Sequence, residues 1–183
     1  MTAMKNHYLL WATGEDQPGI VAGVTEQLFH LGCNIEDSSM MRLGSEFGIL
    51  LIFSSHKKHS LSDIQKEFFP LEKRLNLTLG IKAITSAQAK FRPTKKASLS
   101  ISLHGTDQPG LVHKVTFVLA QQKFNITDLA THRTNGKKAG FILILEGELS
   151  KKQNQKQLEK ALSTLSRKLS MKISLNRIEP HSF

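Results

Sequence analysis

The apolar positions change period repeatedly along the chain, and each change marks an element. Tyr8–Thr13 is a short apolar run closed by Gly14, which reads as a strand. From Ile20 the spacing becomes helical: Ile20, Val24, Leu28 and Leu31 share one face, and Gly32 stops the helix. Asp16-Gln17-Pro18-Gly19 opens that helix. Asp16 is expected to accept a hydrogen bond from a first-turn amide, and Pro18 sits where no donor is needed. Asn34–Leu43 reads as a strand, Gly44-Ser45-Glu46 as a tight turn, and Phe47–Ser54 as the returning strand. Ser62-Asp63-Ile64-Gln65 has the form of a capping box. Ile64, Phe68, Leu71 and Leu75 follow as an amphipathic stripe that Pro70 is expected to kink or restart. Leu77, Leu79, Ile81 and Ala83 alternate through a fourth strand, Leu77–Ile84.

After Ala87–Lys96, a segment without period that holds a proline and four basic residues, the same order returns. Ala97–His104 alternates strictly, with Leu99, Ile101 and Leu103 against Ser98, Ser100 and Ser102. Asp107-Gln108-Pro109-Gly110 opens a helix, and Asn125–Thr134, a turn at Asn135-Gly136 and Gly140–Glu146 make a hairpin. Ser150-Lys151-Lys152-Gln153 is a capping box; Leu158, Leu162, Leu165 and Leu169 carry the next helix, and Met171–Ile178 closes the series. Shifted by 91 residues, Gly14–Arg42 falls on Gly105–Arg133 with 13 of 29 positions identical, Arg42 and Gln17 among them. Average composition gives roughly two identities by chance. The chain is therefore two copies of one module, 1–86 and 97–183, the second with a short C-terminal tail, joined by a linker at 87–96. A βαββαβ order predicts an α+β, ferredoxin-like fold in each: an antiparallel four-stranded sheet with both helices on one face.

That register assigns faces. Tyr8, Leu10 and Ala12 should meet the helices in the first module, and Leu99, Ile101 and Leu103 in the second. The open face then carries serines in the second module but Leu9 and Trp11 in the first, where Ile49–Phe53 is apolar on both sides. Such a patch is expected to be covered, by another subunit, by a partner protein, or by the chain's own linker or tail.

Composition adds few constraints. The apolar fraction of 39% and charged fraction of 22% are those of a globular protein, and no run is long enough to span a bilayer. No charged segment followed by an apolar run marks a secretory signal, so none is expected. The one cysteine, Cys33, excludes an internal disulfide and fits a reducing cytoplasm as a small packed thiol. Charge is more telling. Residues 1–90 carry nine Lys/Arg and nine Asp/Glu, and residues 91–183 carry sixteen and six, so the whole net charge of +10 lies in the second half. An anionic partner and a merely solvated basic face are both open.

The repeated Asp-x-Pro-Gly-Ile/Leu-Val at the first helix start, with Asn-Ile opening the next strand, resembles the ACT domain. Two such modules, with GCNIED at Gly32–Asp37 followed by Leu43-Gly44-Ser45-Glu46-Phe47, resemble the tandem-ACT transcriptional repressors of the glycine cleavage system. The resemblance implies a non-enzymatic sensor of a small amino acid, most plausibly glycine, that represses through contact with a transcription activator. It implies no cofactor.

The chemistry supports a binding site on its own terms. A helix N-terminus presents free amides and partial positive charge, which suits a carboxylate. Gly19 and Gly110 let a ligand or neighbouring backbone approach, and Asn34 and Asn125 offer both donor and acceptor. The candidate ligand set is Asp16, Gly19, Ile20, Asn34 and Ile35, with Asp107, Gly110, Leu111, Asn125 and Ile126 in the second module. The same residues serve equally as cap, tight turn and turn former. His56-Lys57-Lys58-His59 has a spacing a metal could use, but no Cys or carboxylate supports it. No Ser-His-Asp arrangement is visible. RNA-binding domains of the same βαββαβ order carry two or three stacking aromatics on the third strand; SEFGILLI and KKAGFILIL carry one each, so that reading fails. A second reading remains: a basic regulator that binds nucleic acid and uses its modules only for assembly.

Overall fold

In the computed structural model, residues 5–90, 98–134, 140–149 and 155–178 are described. The chain divides between Pro93 and Thr94 into two compact units. The first holds β1 (Asn6–Glu15), α1 (Ile20–His30), β2 (Asn34–Leu43), β3 (Glu46–Ser55), α2 (Leu61–Leu75), β4 (Thr78–Ile84) and a short α3 (Ser86–Ala89). The second holds β5 (Ser98–Thr106), α4 (Leu111–Gln121), β6 (Phe124–Thr134), β7 (Gly140–Leu149), α5 (Gln155–Leu169) and β8 (Lys172–Ile178). The sheets run β2-β3-β1-β4 and β6-β7-β5-β8, antiparallel throughout. Both modules thus have the expected ferredoxin-like fold.

The predicted strand faces hold. Tyr8, Leu10 and Ala12 are buried with Ile20, Val24 and Leu28 of α1 and Ile64, Phe68 and Leu71 of α2. Leu99, Ile101 and Leu103 are buried with Leu111, Val115 and Leu119 of α4 and Leu158, Leu162, Leu165 and Leu169 of α5. Full burial of each such side chain stabilises by about 1.5–3 kcal/mol relative to exposure, so a one-residue slip of β1 or β5 is strongly disfavoured. The bulges also repeat: pairing shifts between Ile35 and Asp37, and between Ile126 and Asp128. Near the first, the buried Ser54 hydroxyl donates to the Glu36 carboxylate, which Lys5 approaches at 3.1 Å. These bonds, Ser54's first, hold the Glu36 carboxyl below its usual range.

Three local expectations are corrected. Asp16 does not cap α1: the N-cap is Gly19 at φ 97°, and no side chain caps it. The Pro-Gly pair moves the helix start past the reach of Asp16. The cap of α2 is Ser60, not Ser62; its hydroxyl accepts from the Asp63 amide at 3.1 Å, and the helix runs through Pro70 to Leu75. Ser86–Ala89, mostly within the segment read as linker, forms a helical turn closed by a capping box of Thr85 and Gln88. The Ser150–Gln153 box and the Asn135-Gly136 turn lie outside the described residues.

Cys33 packs against the first core, and burial pushes its thiol upward in pKa, as a packed thiol should behave. His59 is also structural. Its backbone N–H donates to the Tyr8 hydroxyl at 3.1 Å, its ring Nε2 lies 3.2 Å from Ser55 Oγ, and Tyr8 stacks on Phe53.

Candidate functional site

Each module presents the same construction where its first strand hands over to its first helix. Gly19 and Gly110 take positive φ, 97° and 74°, a conformation that costs little without a β-carbon. Open space surrounds both: nothing lies within 4 Å of where a β-carbon would stand. The glycines are required by backbone conformation, and they leave the helix starts accessible. Side chains cap α2 and α3, but neither α1 nor α4 has a side-chain cap. The first-turn amides of an α-helix have no intrahelical acceptor, so both repeated helices begin with donors that no capping side chain takes.

The acids beside these turns are paired with arginines. Asp16 Oδ2 lies 3.5 Å from Arg42 Nη1, and Asp107 Oδ2 lies 2.6 Å from Arg133 Nη2. Both arginine side chains are about 70% exposed, at 69% and 71%. Exposed pairs of this kind contribute about 0–1 kcal/mol to stability, so the repetition of Asp and Arg is poorly explained by folding alone. Gln17 and Gln108 fix the loops from the other side. Their Nε2 groups donate to the Leu75 carbonyl at 3.0 Å and the Leu169 carbonyl at 3.4 Å, tying each loop to the end of the second helix. These Arg and Gln residues were visible only as identities between the two copies; no local motif singled them out.

Other members of the predicted set stand elsewhere. Ile20 and Leu111 are each 2% exposed and belong to the cores, so they anchor the helix starts from inside. Asn34 and Ile35 open β2, and Asn34 pairs in register with Ser54, which pairs with His7. Asp16 instead follows Glu15, opposite Glu46 at the other end of the sheet. From His7 to Glu15 the strand rises about 27 Å, at about 3.4 Å per residue. Asn125 and Ile126 are likewise remote from Asp107, since Asn125 pairs opposite Glu148 and Asp107 follows Thr106 opposite Gly140. No small molecule within one module touches both ends.

The open sheet faces differ as expected from the alternation. Leu9, Trp11, Leu50 and Ile52 share one face, with Trp11 39% and Leu50 53% exposed. The Trp11 indole lies across Gly80, leaving no room there for a β-carbon. The corresponding face of the second module carries Ser100, Ser102, Ser174, Asn176 and Glu146, with Ile144. Among the described residues no helix is long and apolar enough to cross a membrane.

Comparison with known proteins defines the class. The ACT domain family model matches residues 6–82 and 98–176, so the chain belongs to the ACT domain family, with two copies in tandem. It is a tandem ACT-domain regulatory protein similar to the glycine cleavage system transcriptional repressor of Escherichia coli (strain K12). The two are 32% identical over 133 residues, covering 72% of this chain and 67% of that protein. Two solved structures share the whole fold. One, of an unknown protein from Galdieria sulphuraria, has a TM-score of 0.77 at 22% identity over 96% of this chain and 100% of its own. The other, assigned provisionally to the glycine cleavage system transcriptional repressors, has a TM-score of 0.74 at 24% identity over 97% and 99%.

Proposed function

We infer that this chain is a non-enzymatic, amino-acid-sensing transcriptional regulator of the cytoplasm, which represses glycine cleavage genes through contact with an activator protein. The observation that carries the sensing is the repeated helix start: a glycine at positive φ, no side-chain cap, and an exposed arginine held by one aspartate. A free amino acid brings a carboxylate that the amides and arginine suit, and an ammonium that the aspartate suits. Glycine fits a site built on backbone, because it asks for no side-chain pocket. The similarity to the Escherichia coli glycine cleavage system transcriptional repressor favours the same genes. Asp16, Gly19, Asp107 and Gly110 are the proposed contacts within a module. Asn34, Ile35, Asn125 and Ile126 reach such a ligand only from a second module, of this chain or of another copy, and a homo-oligomer is the proposed source of one. Its proposed contact is the Leu9–Trp11 face.

The test is a thermal-shift screen of the full chain against the twenty amino acids, repeated with Asp16→Ala and Asp107→Ala together. Glycine, or one other small amino acid, should raise the melting temperature of the parent and fail to raise that of the variant. A shift unchanged in the variant moves the site elsewhere. The second reading, direct binding of nucleic acid by the basic second module, is tested by mobility shift across salt, where such binding should weaken steeply.

A further inference from the structure

In the second module, an open groove of about 780 Å³ runs along the outer surface between α4 and α5. Its apolar floor includes Phe117, Val118, Ala161 and Leu165, and its rims carry His113, Lys114, Lys160 and Lys168. Among the described residues no carboxylate lines it. Phe117 is 54% exposed, an uncommon place for a phenylalanine on a solvated helix.

The repeat turns this groove into a controlled comparison. The 91-residue shift places Gly23 opposite Lys114 and Glu26 opposite Phe117; on the second helix, matching the core stripes places Glu67 opposite Ala161 and Asp63 opposite Gln157. In the first module α1 and α2 close on each other at Gly23, where a β-carbon would lie 2.5 Å from Leu71 Cδ1. A lysine there would have to displace the Leu71 side chain that fills this seam. The second module therefore has an opening where the first has a contact. It has also exchanged three acids for a phenylalanine, an alanine and a glutamine. None of these changes serves the core, whose positions remain apolar in both copies.

We propose that the α4–α5 groove docks an acidic amphipathic helix of a partner protein, its apolar residues on Phe117, Val118 and Ala161 and its carboxylates on Lys114, Lys160 and Lys168. The charge is complementary, and the apolar floor decides between macromolecules. A helix laid in a groove supplies apolar anchors at i, i+3/i+4 and i+7 together with flanking acids. A nucleic-acid duplex supplies phosphates but nothing for an exposed phenylalanine and its apolar neighbours to bury. The second half's net charge of +10 speeds the encounter with an acidic surface. The proposal rests on the reading that the chain acts through another protein, and it names the surface used.

Random 16-residue peptides displayed on phage are selected on the full chain, and the enriched peptides are measured by fluorescence anisotropy. Phe117→Ser and the pair Lys160→Glu with Lys168→Glu change exposed positions, and circular dichroism checks that both fold. Phe29→Ser, another exposed aromatic, is the control. Enriched peptides should combine apolar residues at helical spacing with Asp and Glu. Their affinity should fall about tenfold or more in both groove variants and stay unchanged in the control. Acidic amphipathic peptides that bind all variants equally overturn the groove while leaving the protein-contact reading standing. Failure to enrich any such peptide overturns the proposal. Binding of a 20-base-pair DNA duplex that is lost in the lysine pair but kept in Phe117→Ser shows a nucleic-acid face, and overturns the groove and the protein-contact reading together.

Discussion

At position 23 the first module has glycine, and at the matching position 114 the second has lysine; around that exchange the two helix surfaces diverge. The open sheet faces diverge too, apolar at Leu9, Trp11, Leu50 and Ile52 in one and serine-lined in the other. Meanwhile the strand order, the bulge after the Asn-Ile pair, the glycine at the helix start and the Asp–Arg pair are shared. The duplication thus separates two kinds of constraint. What folding and the proposed ligand site need is held in both copies. The surfaces proposed to meet other molecules differ, an apolar sheet face in the first module and a basic groove in the second.

The comparison breaks most visibly at the sheet faces. Replacing Leu9 and Trp11 by serine is expected to weaken self-association by about 4 kcal/mol, roughly a thousandfold, if each side chain acts as an interface anchor. Sedimentation velocity over a concentration series reads it. A monomeric parent whose Trp11 fluoresces as a solvent-exposed indole removes the interface. Exchanging the helix contacts comes next. Gly23→Lys should cost about 1–3 kcal/mol in urea unfolding, because the stem collides with Leu71, whereas Lys114→Gly should cost only about 1 kcal/mol of helix propensity. Equal costs would mean that the two helix pairs are not packed differently.

Gly19→Ala and Gly110→Ala should each destabilise by about 1–2 kcal/mol through the positive φ, and the amino-acid response should weaken with them. Arg42→Gln and Arg133→Gln should change unfolding by less than about 1 kcal/mol, since both pairs are exposed, yet reduce the thermal shift given by the amino acid. Loss of stability without loss of response would make the arginines structural. The smallest effect is one of pH. The Glu36 carboxyl is held below its usual range in the folded chain, so its stabilisation is present above the ordinary carboxylate pKa and is lost as pH falls through the lowered folded value. Comparing acid unfolding of the parent with Glu36→Gln should show a shallower fall for the variant.

Much of this was legible in the sequence, for a physical reason. A two-residue period fixes which side of β1 and β5 is buried, and one slip would expose the whole core set, so those faces could be read without coordinates. The helix start could not. Asp16 sits at a capping distance in sequence, but Gly19 turns the chain through positive φ, and Asp16 is left to pair with Arg42, 26 residues away. Sequence neighbourhood likewise suggested that Asn34 stands beside the helix start, although α1 returns the chain to the far end of the sheet before Asn34 opens β2 opposite Ser54. The Ser62-x-x-Gln65 pattern pointed to the wrong serine, because the helix starts at Leu61 and Ser60 caps it. The Thr85-x-x-Gln88 box was present in the sequence, but the proline and basic residues that follow drew Gln88 into the linker.

The position of β2 has one more consequence, for handling and storage. It is an edge strand of ten residues, every one exposed, with Met40, Met41 and Leu43 at 60%, 66% and 79%. A long edge with exposed apolar side chains is a template on which another chain can add a strand, and concentrated preparations should assemble there first. Arg42 is the only positive charge along β2, and charged residues so placed act as gatekeepers against such growth. Arg42→Gln should therefore raise light scattering on storage, and oxidation of the two methionines should lower it, since a sulfoxide turns each apolar side chain polar.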